Sequence, residues 1–176
     1  NVALGSTSLY TATTTSGNTA VGSNALKLTT GDSNTAIGRQ AMEDNSTGSN
    51  NVALGMEAML QNTTGGNNTA IGYGSLENNT TGTSNVAIGR DALESNTGNA
   101  SVAVGFEAGK GNTSGQIIAM GYQAMVANTS GTRNIAIGGN AYDSSDTEND
   151  NLAIGHNAMT ANSAGGTKNI AIGNYA

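Results

Sequence analysis

One pentapeptide recurs eleven times along the chain, as Asn85-Val86-Ala87-Ile88-Gly89 or a near variant. Its third residue is always Ala and its fifth always Gly; its fourth is always Ile, Leu, Val or Met, and its second is β-branched in ten copies and Leu152 in the other. The glycines fall at 5, 22, 38, 55, 72, 89, 105, 121, 138, 155 and 173, a spacing of 16 to 18 residues. Self-similarity at a fixed period means stacked units, none of which buries its apolar face alone. Asn, Thr, Ser, Gly and Ala dominate the composition, which by itself suggests a low-complexity or disordered chain. A disordered chain, however, has no reason to hold an aliphatic residue at one phase eleven times.

The pentapeptide alternates, so it reads as a strand with two unlike faces. One face carries the branched residues. Val21, Ile37, Leu54, Ile71, Ile88, Val104, Met120, Ile137, Ile154 and Ile172 are therefore expected to form the core. The other carries only the smallest side chains, and Ala20, Ala36, Ala53, Ala70, Ala87, Ala103 and Ala136 are expected to form a close-packing face against a neighbouring chain. A coil this narrow buries few aliphatic groups against the entropy of ordering its backbone, so several copies packed about an axis are expected.

Three residues after each Gly stands Ala or Ser, followed by Leu or Met, with Gly109 and Tyr142 as exceptions. This second apolar segment suits a short strand, with a single helical turn as the alternative. Turns of the type Asn62-Thr63-Thr64-Gly65 follow, rich in residues that tolerate left-handed backbone. Asn opens nine of the eleven strands, Ser101 and Ile117 being the exceptions, and equivalent amides stacked coil on coil could bond to one another. Proline is absent, as suits a chain whose strand N–H groups all bond to neighbouring coils. Two short segments and two turns per repeat describe a coil of an all-β, parallel β-solenoid or β-roll. Residues 1–176 read as one array of about ten to eleven coils, an excerpt of a longer fibre.

Chemistry-bearing residues are few. There is no cysteine, and the six Lys and Arg are scattered through a chain of net charge −6, which argues against nucleic acid. No apolar run approaches the ~18–20 residues of a membrane span, so no membrane contact is expected. His156 alone, carboxylates without a recurrent pair and Gly109-Lys110-Gly111 without a preceding strand give no basis for an enzyme or a cofactor site. Asp143, Asp146, Glu148 and Asp150 form an acidic loop that is a weak calcium candidate, lacking the spacing of a helix-loop-helix calcium loop. Asn45, Asn62, Asn79, Asn112 and Asn128 lie in Asn-x-Ser/Thr sequons, as do Asn78 and Asn99, and are candidate glycosylation sites on turns expected to be exposed. Thr residues form no regular Thr-x-Thr array of the kind an ice-binding face needs.

Over the whole chain, the unit Asn-[Val/Thr/Ile]-Ala-[Ile/Val/Leu]-Gly-x-x-[Ala/Ser] closely resembles the head repeat of trimeric autotransporter adhesins and is also similar to repeats of bacteriophage tail fibres and related surface fibres. The resemblance implies a left-handed roll, one coil per repeat, with three chains side by side. The adhesin-head repeat is shorter, and the extra length here lies in the Leu/Met-x-x-Asn-Thr segment, which leans the match toward phage-type or other extracellular fibres. The function expected is a structural and adhesive extracellular segment, on a cell surface or virion, that associates with itself and presents loops to a host cell, receptor or glycan. The alternative is a self-assembling filament or sheath that binds no receptor.

Overall fold

The computed structural model describes residues 1–144, 147–160 and 166–176. Each pentapeptide supplies one three-residue strand: β1 (Val2–Leu4), β2 (Thr19–Val21), β3 (Thr35–Ile37), β4 (Val52–Leu54), β5 (Thr69–Ile71), β6 (Val86–Ile88), β7 (Val102–Val104), β8 (Ile118–Met120), β9 (Ile135–Ile137), β10 (Leu152–Ile154) and β11 (Ile170–Ile172). They pair in sequence order, all parallel, as one eleven-stranded sheet. The register sets like on like: Ala87 faces Ala70 on one side and Ala103 on the other. Val86 N–H donates to Ser101 O at 2.9 Å and Gly89 N–H to Ile71 O at 2.7 Å, so one strand uses both neighbours. This is the parallel β-solenoid expected from the period.

The two strand faces are reversed with respect to the sequence expectation. The strand alanines point into the coil and are fully buried, from Ala20 to Ala153, whereas Ile37, Leu54, Ile88, Met120 and Ile137 on the other face are exposed and Val21, Ile71, Val104 and Ile154 half-exposed. Ile172 is exposed as well. The reason is steric. Leu26, Met42, Met59, Leu76, Leu93 and Met125 reach inward from the opposite wall and, with Ala25, Ala41, Ala58, Ala92, Ala108 and Ala124, fill the interior. The strand then has room for a methyl group and nothing larger. Ala20, Ala36, Ala53, Ala70, Ala87, Ala103 and Ala136 thus pack closely inside their own chain rather than against a neighbour.

The strand glycine is dictated by the same stacking. Gly89 sits at φ +132°, and a Cβ there would lie inside the carbonyl of Gly105 in the next coil.

The Ala-Leu/Met segment is neither strand nor helix among the described residues; it is a run of turns. In the fourth coil Ala58 N–H bonds Gly55 O, Leu60 N–H bonds Glu57 O and Asn62 N–H bonds Met59 O, at 3.4, 3.3 and 3.1 Å. Between them, Glu57 N–H reaches back to Arg39 O at 3.0 Å and Met59 N–H forward to Ser75 O at 2.9 Å. Such a backbone alternates hands. Glu57 and Met59 have φ of 60° and 53°, and Asn67, at the corner before the next strand, has 59°. A non-glycine residue in this region costs about 1–2 kcal/mol. The hydrogen bonds to both adjacent coils hold it there.

Thirteen asparagines are buried beside the apolar core among the described residues. The strand-opening Asn does not bond its equivalent amide to amide. Asn34 Oδ1 accepts the main-chain N–H of Asn51 at 3.0 Å, while Asn34 Nδ2 donates to Gly48 O at 2.8 Å, and Asn51, Asn68 and Asn85 repeat the pattern. The amide-to-amide column lies instead in the turn: Asn62 Nδ2 donates to Asn45 Oδ1 at 2.6 Å and Asn79 Nδ2 to Asn62 Oδ1 at 3.1 Å. It breaks at the shortened turn Asn96-Thr97-Gly98, where Asn79 Oδ1 and Asn96 Oδ1 are buried without a partner. Beyond the break the amide is reversed, and Asn112 Oδ1 and Asn128 Oδ1 accept from Gly115 and Gly131 N–H, each at 2.9 Å.

Candidate functional site

The outward strand face forms a continuous stripe along the sheet. Each of eleven strands presents two side chains, nineteen of them aliphatic and three of them Thr (Thr19, Thr35 and Thr69). Ile88 is 37% exposed, Leu54 43% and Met120 40%. With equivalent residues about 4.8 Å apart the stripe runs roughly 48 Å over ten steps. A contiguous apolar patch on this scale marks an interaction surface.

A second column borders it, one residue past each strand glycine. Gln123 N–H bonds Phe106 O at 2.8 Å and Asp91 N–H bonds Tyr73 O at 2.9 Å, which fixes Arg39, Met56, Tyr73, Arg90, Phe106 and Tyr122 in successive coils. Their side chains touch in turn. Arg39 donates to Met56 Sδ at 3.4 and 3.3 Å, the Arg90 guanidinium carbon stands 5.6 Å from the ring centres of both Tyr73 and Phe106, and Phe106 stacks on Tyr122 at 5.3 Å with planes 11° apart. The column holds half of the chain's six Phe and Tyr.

Charges cluster beside it. Lys110 Nζ lies 3.0 Å from Glu94, 3.2 Å from Glu107 and 3.8 Å from Asp91, and Arg39 pairs with Glu57 at 2.8 Å. The Glu94 carboxylate raises Lys110 against the opposing effect of burial, with Glu107 adding to it. Gln123, donating at 2.7 Å, lowers Glu107 against burial, helped by Lys110. Burial works to raise Glu43, but hydrogen bonds from Gln40 and Lys27 outweigh it and leave it lowered. Glu77 goes the other way: burial and the neighbouring Glu94, Glu57 and Asp91 carboxylates raise it.

The acidic loop is not assembled as a calcium site among its described members. Asp150 is committed to Arg133 at 2.6 and 3.0 Å, which lowers its pKa, and Glu148 Oε2 accepts from Thr147 N–H at 3.2 Å while its side chain is buried. Asp143 is half-exposed, and Asp146 lies outside the described residues. Among the described residues no group of three or more His, Cys, Asp or Glu is placed to hold a metal.

The sequons are corrected more sharply. Asn45, Asn62, Asn79, Asn112 and Asn128 are fully buried, their amides bonded inside the coil, so glycan transfer to Nδ2 has no access in the fold. Of the other two, Asn99 is exposed and Asn78 half-exposed. His156 is an exposed residue whose ring meets the edge of Tyr175 at 5.6 Å. No helix is long and apolar enough to cross a membrane among the described residues.

No protein-family model, curated protein or solved structure matches the chain. The geometry of its surfaces is what points to a function. The aromatic column was legible at the repeat period, by reading the residue after each glycine as one set.

Proposed function

We propose that the chain is a segment of an extracellular structural and adhesive fibre, built by association of identical copies through the outward strand face. The observation that carries this reading is the stripe of nineteen aliphatic side chains left in solvent by a solenoid whose interior is already full. Its occupant is a second copy of the chain, because a face with the chain's own period is matched along its whole length by the same face at the same period. A trimer, left-handed coils and a place on a cell surface or virion follow from the likeness to adhesin heads and tail fibres. The loops at the corners then face outward for contact with a host cell, receptor or glycan. No catalytic step belongs to this reading, since solenoids of this kind commonly serve as scaffolds. A purely structural filament is the second reading, favoured by the same stripe.

Light scattering tests the assembly. The wild type is expected to have the mass of a small oligomer. Ile88→Asp, a charge in the middle of the stripe, is expected to reduce it to the mass of one chain while leaving the solenoid folded by circular dichroism. A folded wild-type monomer would overturn the proposal.

A further inference from the structure

The aromatic column ends on an open ring. Phe106 covers one face of Tyr122, and the position that would cover the other is Gly139, placed one coil on by the bond from Asn140 N–H to Tyr122 O at 2.8 Å. Tyr122 is accordingly 55% exposed, against 39% for Tyr73 farther down the column. The next side chain in line is His156, whose Nδ1 comes within 3.2 Å of where a Cβ on Gly139 would stand. The result is a notch one coil wide. Tyr122 and His156 are its walls and the Gly139 backbone its floor. Its walls spring from strands two coils apart, about 9.6 Å, and the imidazole leans over the floor, so that its Nδ1 lies within reach of an occupant set against Tyr122.

The rim is polar and uncharged. Asn140 and Asn157 stand beside Gly139 and His156, and their side-chain amides make no hydrogen bond among the described residues. Gln123, beside Tyr122, holds Glu107, which is itself paired with Lys110. An open aromatic face with free amides at its edge and no cation beside it suits a ring with an apolar C–H face and a rim of hydroxyls. A phosphate or sialic acid would meet no Lys or Arg among the described residues of the rim. We propose that Tyr122, Gly139 and His156, with the amides of Asn140 and Asn157, form a site for one pyranose unit of an uncharged glycan. The site rests on the adhesive reading above and gives it a ligand class.

The test uses the whole chain with methyl β-galactoside, methyl β-glucoside and the methyl β-glycoside of N-acetylglucosamine, followed by saturation-transfer NMR and by the side-chain amide signals of the labelled protein. Two variants keep to residues that the repeat already accepts at this position. Tyr122→Ser removes the platform, as Ser6 and Ser23 do in the first two coils, and Gly139→Tyr fills the notch by extending the column. The expected result is transfer to the C–H protons of at least one glycoside, in the millimolar range typical of a single sugar, with shifts at Asn140 and Asn157. Both effects should be lost in each variant while circular dichroism shows the solenoid still folded. Absence of transfer from all three glycosides, or binding that survives both variants, overturns the site. So does tighter binding of adenosine, which would mark a platform for planar bases. Light scattering on the same samples separates this outcome from the fibre proposal: an oligomer that binds no sugar refutes the notch alone, and a monomer that binds through Tyr122 refutes the assembly alone.

Discussion

Ala87 is fully buried and Ile88, the next residue, is 37% exposed, so adjacent positions should respond in opposite ways to added bulk. Ala87→Leu forces three carbons and a branch into an interior closed by Leu and Met from the far wall, an overpacking cost of about 1–3 kcal/mol. The expected outcome is a melting temperature several degrees lower, measurable in the isolated chain whatever its oligomeric state. Glu77 offers a second residue-scale test, through pH. Its folded pKa is raised above the ordinary value of 4.5, first by burial and then by Glu94, Glu57 and Asp91. A raised carboxylate stabilises the fold below its unfolded pKa, and that contribution is lost as pH rises through the folded value. Ionised Glu77 therefore opposes folding at neutral pH. Glu77→Gln is expected to raise the melting temperature at pH 7 by about 1 °C, a small effect because the group is partly solvated, and to have no effect near pH 3. Glu43 and Glu107, both lowered, have the opposite sign: their contribution is present above the ordinary carboxylate range and disappears as pH falls through their depressed values.

At the scale of the element, the two departures from the repeat around the eighth strand are one event. Gly109 leaves out the inward Leu or Met of its coil, and Ile117 replaces the Asn that would open β8. A Cβ on Gly109 would meet Ile117 Cδ1 and Leu93 Cδ2, both at 3.0 Å, so the isoleucine occupies the space that the missing side chain vacates. The amide lost at Ile117 is replaced as well. The strand-opening Asn of other coils donates to a turn carbonyl, as Asn34 does to Gly48, and here Asn112 Nδ2 takes the equivalent Gly131 O at 3.1 Å. A double-mutant cycle measures the compensation. Gly109→Leu alone is expected to clash with Ile117, and Ile117→Asn alone to leave a void and an amide in apolar surroundings. Combining them restores the common pattern, with a favourable coupling of about 0.5–3 kcal/mol in denaturant unfolding. Simple additivity would mean that the two substitutions are unrelated.

For the whole molecule, the question is what the outward face is for. A monomer that leaves nineteen aliphatic residues in one stripe would be prone to non-specific association. In the proposed assembly, pairing with copies of the same period would give that face a defined partner. On this proposal the melting temperature of the wild type rises with protein concentration, because association stabilises the folded chain by mass action. That of Ile88→Asp is expected to be independent of concentration over the same range. A concentration-independent wild type would leave the stripe without the occupant assigned to it.

The repeat period, the parallel stack and the position of every strand were legible in the sequence. A glycine at one phase and an alternating pentapeptide have few other solutions, and the glycine is required by a contact within the chain's own stack, as Gly89 against Gly105 makes plain. Which strand face is inside was not legible, because alternation distinguishes two faces without naming either. The opposite wall decided that. A Leu or Met from the turn, at φ between 47 and 56° in Leu26, Met42, Met59, Leu76, Leu93 and Met125, already fills the coil, so the strand can turn in only Ala. That conformation is itself unfavourable for an isolated residue and is held by hydrogen bonds to the coils on either side, which no single repeat contains. The burial of the turn asparagines has the same origin. Asn62 reads as a surface turn residue within its own repeat, and becomes an interior one only when Asn45 and Asn79 stack on it.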